Sequence, residues 1–244
     1  MQRSIATVSL SGTLPEKLEA IAAAGFDGVE IFENDLLYYA GSPREIRQRC
    51  ADLGLAITLF QPFRDFEGCR RDRLARNLER AERKFDLMQE LGTDLVLVCS
   101  NVAADSLGER QLLVDDLRLL AERAGARGLR IGYEALAWGR HVNTWEQVWD
   151  IVKTADHASL GMILDSFHTL SLKGDPRAIA QVPGDKIFSC RWPTRRSWPW
   201  TCWSGAGISA ASPARANSRN SMPLYSLALG VSNRISGLAI GLAS

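Results

Sequence analysis

The chain has 244 residues, with 29 basic and 28 acidic side chains, three histidines and 46% hydrophobic residues. This length suits one large α/β domain or two small ones, and the composition excludes a disordered chain, a collagen-like chain and a disulfide mini-protein. Five scattered cysteines predict neither a disulfide framework nor a CxxC zinc site. Because no apolar run is long enough for a membrane helix and no signal peptide begins the chain, we expect a cytoplasmic protein without membrane contact.

The near-zero net charge hides two segments of different composition. Every acidic residue lies at or before Asp185, and residues 189–244 contain no Asp, Glu, Lys, His, Gln or Phe. That segment carries six of the arginines and four of the seven tryptophans. A nucleic-acid-binding arm is one interpretation, but such arms are usually rich in lysine and lack clustered tryptophan. We therefore expect no nucleic-acid partner.

Residues 1–188 alternate predicted strands and helices. In chain order, short apolar or β-branched runs predict strands at 4–9, 28–32, 56–60, 95–99, 130–135 and 161–165, and a seventh that begins at 186–188. Capping residues, glycine stops and apolar spacing predict helices at 13–24, 42–53, 71–91, 109–127 and 144–153, and a short one at 176–180. The helix over 71–91 is the clearest, because its apolar residues are spaced by four and three in alternation.

This alternation predicts an α/β fold, and the spacing of the units favours a (β/α)8 TIM barrel, which takes about 250 residues. A doubly wound open sheet is the alternative. No GxGxxG follows the first predicted strand, which argues against the dinucleotide-binding version of that sheet.

Candidate site residues stand at the predicted strand ends, where TIM barrels carry their active sites. Glu134 ends the fifth strand, Asp165 ends the sixth, and His168 follows three residues later. Carboxylates gathered in one mouth repel each other unless a hard cation neutralises them, so Glu134 and Asp165 are the predicted metal ligands. The alternative for each acid is a helix cap or an arginine partner, and for Glu30 on the second strand we expect a buried ion network.

Two further side chains near the strand ends have competing interpretations. Arg64 is predicted to bind a substrate anion, and the alternative is an ion pair with Asp65 or Glu67. Cys99 is predicted to be a small core residue, because no base stands beside it to make it a nucleophile.

These residues resemble the xylose isomerase-like, or sugar phosphate isomerase/epimerase, barrel superfamily. Within it, four segments are similar to bacterial 3-dehydroshikimate dehydratases: residues 1–14, 26–34, 61–68 and 163–170. The resemblance extends over residues 1–188 and then stops. It implies a lyase of quinate and shikimate catabolism that dehydrates the small molecule 3-dehydroshikimate to protocatechuate; in some members a dioxygenase-like domain follows the barrel.

The same resemblance implies one divalent metal ion, Mg, Mn or Co, held by four strand-end side chains: Glu, Asp, Gln and Glu. Glu134 and Asp165 stand at the first two positions. The third belongs just after Phe188, where this chain has Ser-Cys-Arg191-Trp, and the fourth belongs on an eighth strand with no candidate here. His168 is the implied catalytic acid or base, and Arg64 the implied partner of the substrate carboxylate.

We interpret residues 1–188 as an incomplete TIM-barrel catalytic domain, truncated after the start of the seventh strand, and residues 189–244 as an atypical tail read out of frame. Residues 189–194 can be written in codons that, shifted by two bases, read Val-Gln-Met-Ala-Asp and restore the missing Gln. We then expect unpaired edges on the first and seventh strands and little or no dehydratase activity. The alternatives are a sugar phosphate isomerase or epimerase on the same barrel, an inactive fragment, and a binding protein that uses its Trp/Arg tail.

Overall fold

The structure, a computed structural model, describes residues 2–191 and, for the backbone alone, residues 224–226. It contains eight strands in this part of the chain: β1 (Arg3–Ala6), β2 (Gly28–Phe32), β3 (Ala56–Phe63), β4 (Leu95–Cys99), β5 (Arg130–Glu134), β6 (Leu160–Asp165), β7 (Ile187–Arg191) and β8 (Leu224–Ser226). The helices are α1 (Leu14–Ala23), α2 (Glu33–Leu37), α3 (Pro43–Asp52), α4 (Leu74–Leu91), α5 (Arg110–Gly125), α6 (Trp145–Ala155) and α7 (Ser166–Ser171). Short 3-10 turns lie at Thr7–Ser9, Arg71–Arg73, Pro176–Gln181 and Gly184–Lys186.

Each strand pairs in parallel with the next one in the chain, and β8 pairs with both β7 and β1 to close a barrel. The predicted TIM barrel is therefore confirmed. The predicted open edges are wrong, because the backbone of Leu224–Ser226 pairs with Ser189–Arg191 on one side and with Arg3–Ser4 on the other. Strand pairing uses only backbone N–H and C=O groups, so a segment of atypical composition can supply it.

Strand β7 continues for three residues beyond Phe188. Ser189, Cys190 and Arg191 belong to β7 and are buried. The first residues of the atypical segment thus complete a barrel strand. Residues 192–223 and 227–244 lie outside the described residues, and their out-of-frame origin stays a prediction.

Successive side chains of a strand point to opposite faces of the sheet, and this alternation divides the hydrophobic core into two parts. In β4, Leu95 and Leu97 join a small cluster with Ile163 and Phe188, whereas Val96 and Val98 join the large cluster that includes the apolar faces of the helices. The small cluster fills the barrel interior. In the part of the chain that the structure describes, no helix is long and apolar enough to cross a membrane.

Most helices lie where the capping and spacing pattern predicts them, with two exceptions. The short helices α2 and α7 each follow directly on a strand, and no pattern in the sequence predicted either of them. In α7 the carboxylate of Asp165 accepts a hydrogen bond from the backbone N–H of Phe167 at 2.7 Å, which caps the helix. A helix of six residues is too short to show an amphipathic period, so this cap is its main local signal.

Candidate functional site

The mouth at the carboxyl ends of the strands is centred on the guanidinium of Arg191, the last residue of β7. Its Nη2 lies 2.5 Å from Glu30 Oε2 and donates to Gln61 Oε1 at 2.7 Å. Its Nη1 lies 3.4 Å from Glu134 Oε1. Because the strands are parallel, β2, β3, β5 and β7 bring these four side chains to the same end of the barrel.

The three partners of the guanidinium, Glu30, Gln61 and Glu134, are all buried, and Arg191 itself is 6% exposed. Gln61 Nε2 donates a hydrogen bond to Glu30 Oε2 at 2.8 Å, so the amide bridges the ion pair. Burial alone would lower the pKa of Arg191, but the nearby carboxylates of Glu30 and Glu134 raise it above its usual value. The guanidinium is therefore charged, and the buried ion network expected for Glu30 is present.

Glu134, Asp165 and His168 form a second, overlapping cluster. One ligand atom from each lies within 4.8 Å of the others, which is a grouping that could hold a metal ion. The structure thus brings together three of the predicted site residues. Asp165 also caps α7, so the capping alternative applies to this residue, and its role as a metal ligand stays a prediction.

Burial sets the protonation of this cluster. It raises the pKa of Glu134 and of Asp165, and the positive charge of Arg191 acts in the opposite direction on both. Burial lowers the pKa of His168, and the charge of Asp165 partly opposes that shift. The imidazole is therefore neutral at pH 7.

The surroundings of His168 define its tautomer. The backbone N–H of Ala137 donates to Nδ1 at 3.2 Å, so a neutral ring carries its hydrogen on Nε2. The exposed rings of Trp138 and Phe167 meet the imidazole edge-on, with centroids at 5.0 Å and 5.3 Å. These two rings therefore cover the histidine at the surface of the barrel, and we call the pair Trp138 and Phe167 the aromatic lip.

Arg64 follows β3 and has an exposed side chain. Within the described residues it forms no ion pair with Asp65 or Glu67, and its charge contributes to the lowered pKa of His168. Its proposed contact with a substrate anion stays a prediction. Cys99 is buried, and burial raises the pKa of its thiol to about 12, as expected for a core residue.

Two residues of this region were not predicted from the sequence as part of the site. Arg191 was expected only to stand where a ligand was missing, although its pairing opposite Asp165 at the end of β7 places it in the mouth. Glu67 was not predicted to be a buried acid. Glu67 Oε1 accepts hydrogen bonds from the backbone N–H of Asn101 at 2.5 Å and from the Tyr133 hydroxyl at 3.0 Å. Burial raises the pKa of Glu67 to about 8, and no local pattern in the loop indicates it.

Comparison with known proteins places the chain among these barrels. A profile described as "Xylose isomerase-like TIM barrel" matches residues 18–190. A 3-dehydroshikimate dehydratase of Pseudomonas putida is 86% identical over 188 residues, which are 77% of this chain and 30% of that protein. The chain spans about a third of the length of the curated Pseudomonas relatives it matches.

Two solved structures show the same architecture. One is described as a "xylose isomerase-like TIM barrel/4-hydroxyphenylpyruvate dioxygenase fusion protein"; the TM-score is 0.85 at 65% identity, over 94% of this chain and 39% of that one. The other is the IOLI protein with a bound zinc atom, with a TM-score of 0.79 at 18% identity, over 98% of this chain and 92% of that one. At that identity the second likeness concerns the fold alone.

Proposed function

Because this chain belongs to the xylose isomerase-like TIM-barrel family, we propose that its barrel mouth is built for the dehydration of 3-dehydroshikimate to protocatechuate, and that the chain turns over slowly. The observation that carries this proposal is the grouping of Glu134, Asp165 and His168 within 4.8 Å at adjacent strand ends. The name of the Pseudomonas putida relative supports the substrate.

The reaction removes one proton from the carbon beside the ketone and delivers one to the departing hydroxyl, which leaves as water. A second ring proton then shifts to the ketone oxygen as the ring becomes aromatic, so the protein neither gains nor loses a proton overall. We assign the first two transfers to the pair formed by Asp165 and His168. Burial raises the pKa of Asp165 and lowers that of His168, which brings the two groups closer in proton affinity. A proton taken up by one of them can then leave from the other.

Arg64 and the aromatic lip would position the substrate. An exposed guanidinium can bind a carboxylate through two parallel hydrogen bonds, and 3-dehydroshikimate carries one carboxylate. The rings of Trp138 and Phe167 beside His168 offer an apolar surface for the six-membered ring of the substrate.

The family resemblance implies a divalent ion, Mg, Mn or Co, with Glu134 and Asp165 as two of its ligands. Their carboxylates have the right chemistry, but Glu134 is already paired with Arg191, and Nδ1 of His168 accepts a backbone hydrogen bond. A guanidinium has no lone pair to offer a metal at the strand-seven position. The residues as they lie therefore do not fit the ion, and the proton transfers assigned to Asp165 and His168 do not use it.

Incubation of the purified chain with 3-dehydroshikimate, with added Mn²⁺ or with a chelator, tests the proposal. We expect slow formation of protocatechuate, detected by liquid chromatography, that the substitution Asp165→Asn removes. Arg64→Ala should raise KM more than it lowers kcat, whereas Arg3→Ala, an exposed arginine at the start of β1 and thus at the opposite end of the barrel, should change neither. Turnover of a ketose sugar without any turnover of 3-dehydroshikimate would favour an isomerase or epimerase instead.

A further inference from the structure

We infer that Arg191 is a built-in counter-ion of the barrel mouth, which occupies the carboxylate cluster in place of a divalent metal and keeps the metal affinity of this chain low. The inference concerns cation binding alone, so it does not require the proposed reaction. It rests on the contacts of one buried side chain.

The first support is the way Arg191 divides its contacts. Its two terminal nitrogens reach two carboxylates, those of Glu30 and Glu134, and one amide oxygen, that of Gln61. A single positive charge thus lies between two negative ones that come from opposite parts of the sequence. Carboxylates gathered in a buried mouth require such a charge, and here the chain itself supplies it.

The second support is an unsatisfied donor. Within the described residues, the buried Nε–H of Arg191 has no hydrogen-bond partner. Leaving a buried donor unpaired is unfavourable, so the terminal contacts with the carboxylates must outweigh that loss. The side chain is held by its charge and by its terminal nitrogens.

The third support is the anchoring of the backbone at this position. Arg191 pairs with Asp165 in the register of β6 and β7, and its carbonyl oxygen accepts a hydrogen bond from Ser166 Oγ at 3.0 Å. The Cα atom is thereby fixed at the rim of the mouth, and its side chain extends to the carboxylates across it.

Because of these contacts, the guanidinium of Arg191 and a divalent ion would compete for the same carboxylates. A divalent ion that uses Glu134 and Asp165 must either displace the guanidinium from Glu134 or bind beside a like charge in a buried site, and both are unfavourable. A neutral residue at position 191 would remove both costs. It would also leave Glu30 and Glu134 without their counter-ion, which itself favours uptake of a metal.

Titration of the full chain with Mn²⁺, with free Mn²⁺ measured by electron paramagnetic resonance in the absence of substrate, tests the inference. The variants are Arg191→Gln, which is neutral and polar, and Arg191→Lys, which keeps a cation. We expect Arg191→Gln to bind Mn²⁺ about tenfold or more tighter than the wild type, while Arg191→Lys stays close to the wild type. Adding Glu134→Gln to Arg191→Gln should abolish the gain.

Binding of Mn²⁺ to the wild type as tightly as to Arg191→Gln would overturn the inference. If Arg191→Gln folds only when Mn²⁺ is present, as followed by circular dichroism, the metal has replaced the missing charge and the inference is supported. If that variant does not fold at all, the other two titrations decide: tight binding by the wild type or by Arg191→Lys overturns it, and weak binding by both upholds it. Because no substrate is present, a negative dehydration assay leaves this result unaffected.

Discussion

The guanidinium of Arg191 lies 2.5 Å from the carboxylate of Glu30, although 161 residues separate them in the sequence. The contact joins β7 to β2 across the mouth of the barrel. Arg191 is the only buried arginine among the described residues, and its charge neutralises the carboxylates of this mouth. The first residues of the atypical segment therefore have a structural role. The stability of the barrel should therefore depend on this side chain.

Replacement of Arg191 by methionine should lower the free energy of unfolding by about 3–5 kcal/mol, because it leaves buried carboxylates without their counter-ion. Urea denaturation followed by circular dichroism measures the change. The matched control is Arg110→Met, which breaks a half-exposed ion pair with Asp150 and should cost about 0–1 kcal/mol. Equal losses in the two variants would show that the buried network adds nothing beyond a surface pair.

Glu67→Gln should change how stability depends on pH. Burial raises the pKa of Glu67 to about 8 in the folded chain, against 4.5 for an ordinary Glu, so between these values the unfolded state binds fewer protons. The wild type should therefore lose stability as pH rises through this window, by up to about 1.4 kcal/mol per pH unit from this group. The Gln variant resembles the protonated acid and should be spared that loss.

Urea denaturation of both proteins at several pH values between 5 and 8 checks this expectation. The stability difference should grow in favour of the variant as pH rises. Glu122→Gln, at an exposed carboxylate, controls for the general effect of removing one negative charge. A difference that stays constant with pH for Glu67→Gln would mean that this carboxyl is ionised in the folded chain.

Local patterns predicted most of the barrel, and the reasons for the failures are physical. The spacing of four and three in α4 and the unbroken apolar run of β4 are periodic signals, and both elements lie where these signals place them. Strand β8 has three residues and is held by backbone hydrogen bonds, which leave no mark on composition. The location of such a short strand depends on tertiary contacts and not on the local sequence.

In the site, too, local patterns predicted some residues, whereas other contacts depend on the tertiary fold. Strand-end positions predicted that Glu134, Asp165 and His168 would share one mouth, because parallel strands present their ends together. The contact of Arg191 with Glu30 depends on barrel closure, which brings distant strands face to face. A sequence window cannot contain that information.

Gly161→Ala tests the packing inside the barrel. A Cβ atom at Gly161 would lie 2.7 Å from three atoms of the Phe188 ring, which is fixed at the start of β7. The ring or the backbone must move, so we expect a loss of about 1–3 kcal/mol in the free energy of unfolding. Gly184→Ala is the matched control, because no atom lies within 4 Å of its Cβ position. Urea denaturation of both variants measures the difference, and equal stabilities would show that the interior has room for a methyl group.

The titration of His168 reports directly on its pairing with Asp165. Burial lowers the pKa of His168 below its usual 6.5, and the Asp165 charge partly opposes that shift. Stability from the neutral ring is therefore present above pH 6.5 and is lost as pH falls through the folded-state pKa. Asp165→Asn removes the opposing charge while an Asn can still cap α7, so the pKa of His168 should fall further. Nuclear magnetic resonance of the three histidines measures both values, with His168→Gln identifying the resonance. A pKa above 6.5 in the wild type, or a rise on Asp165→Asn, would contradict the burial and the pairing on which the proton transfer depends.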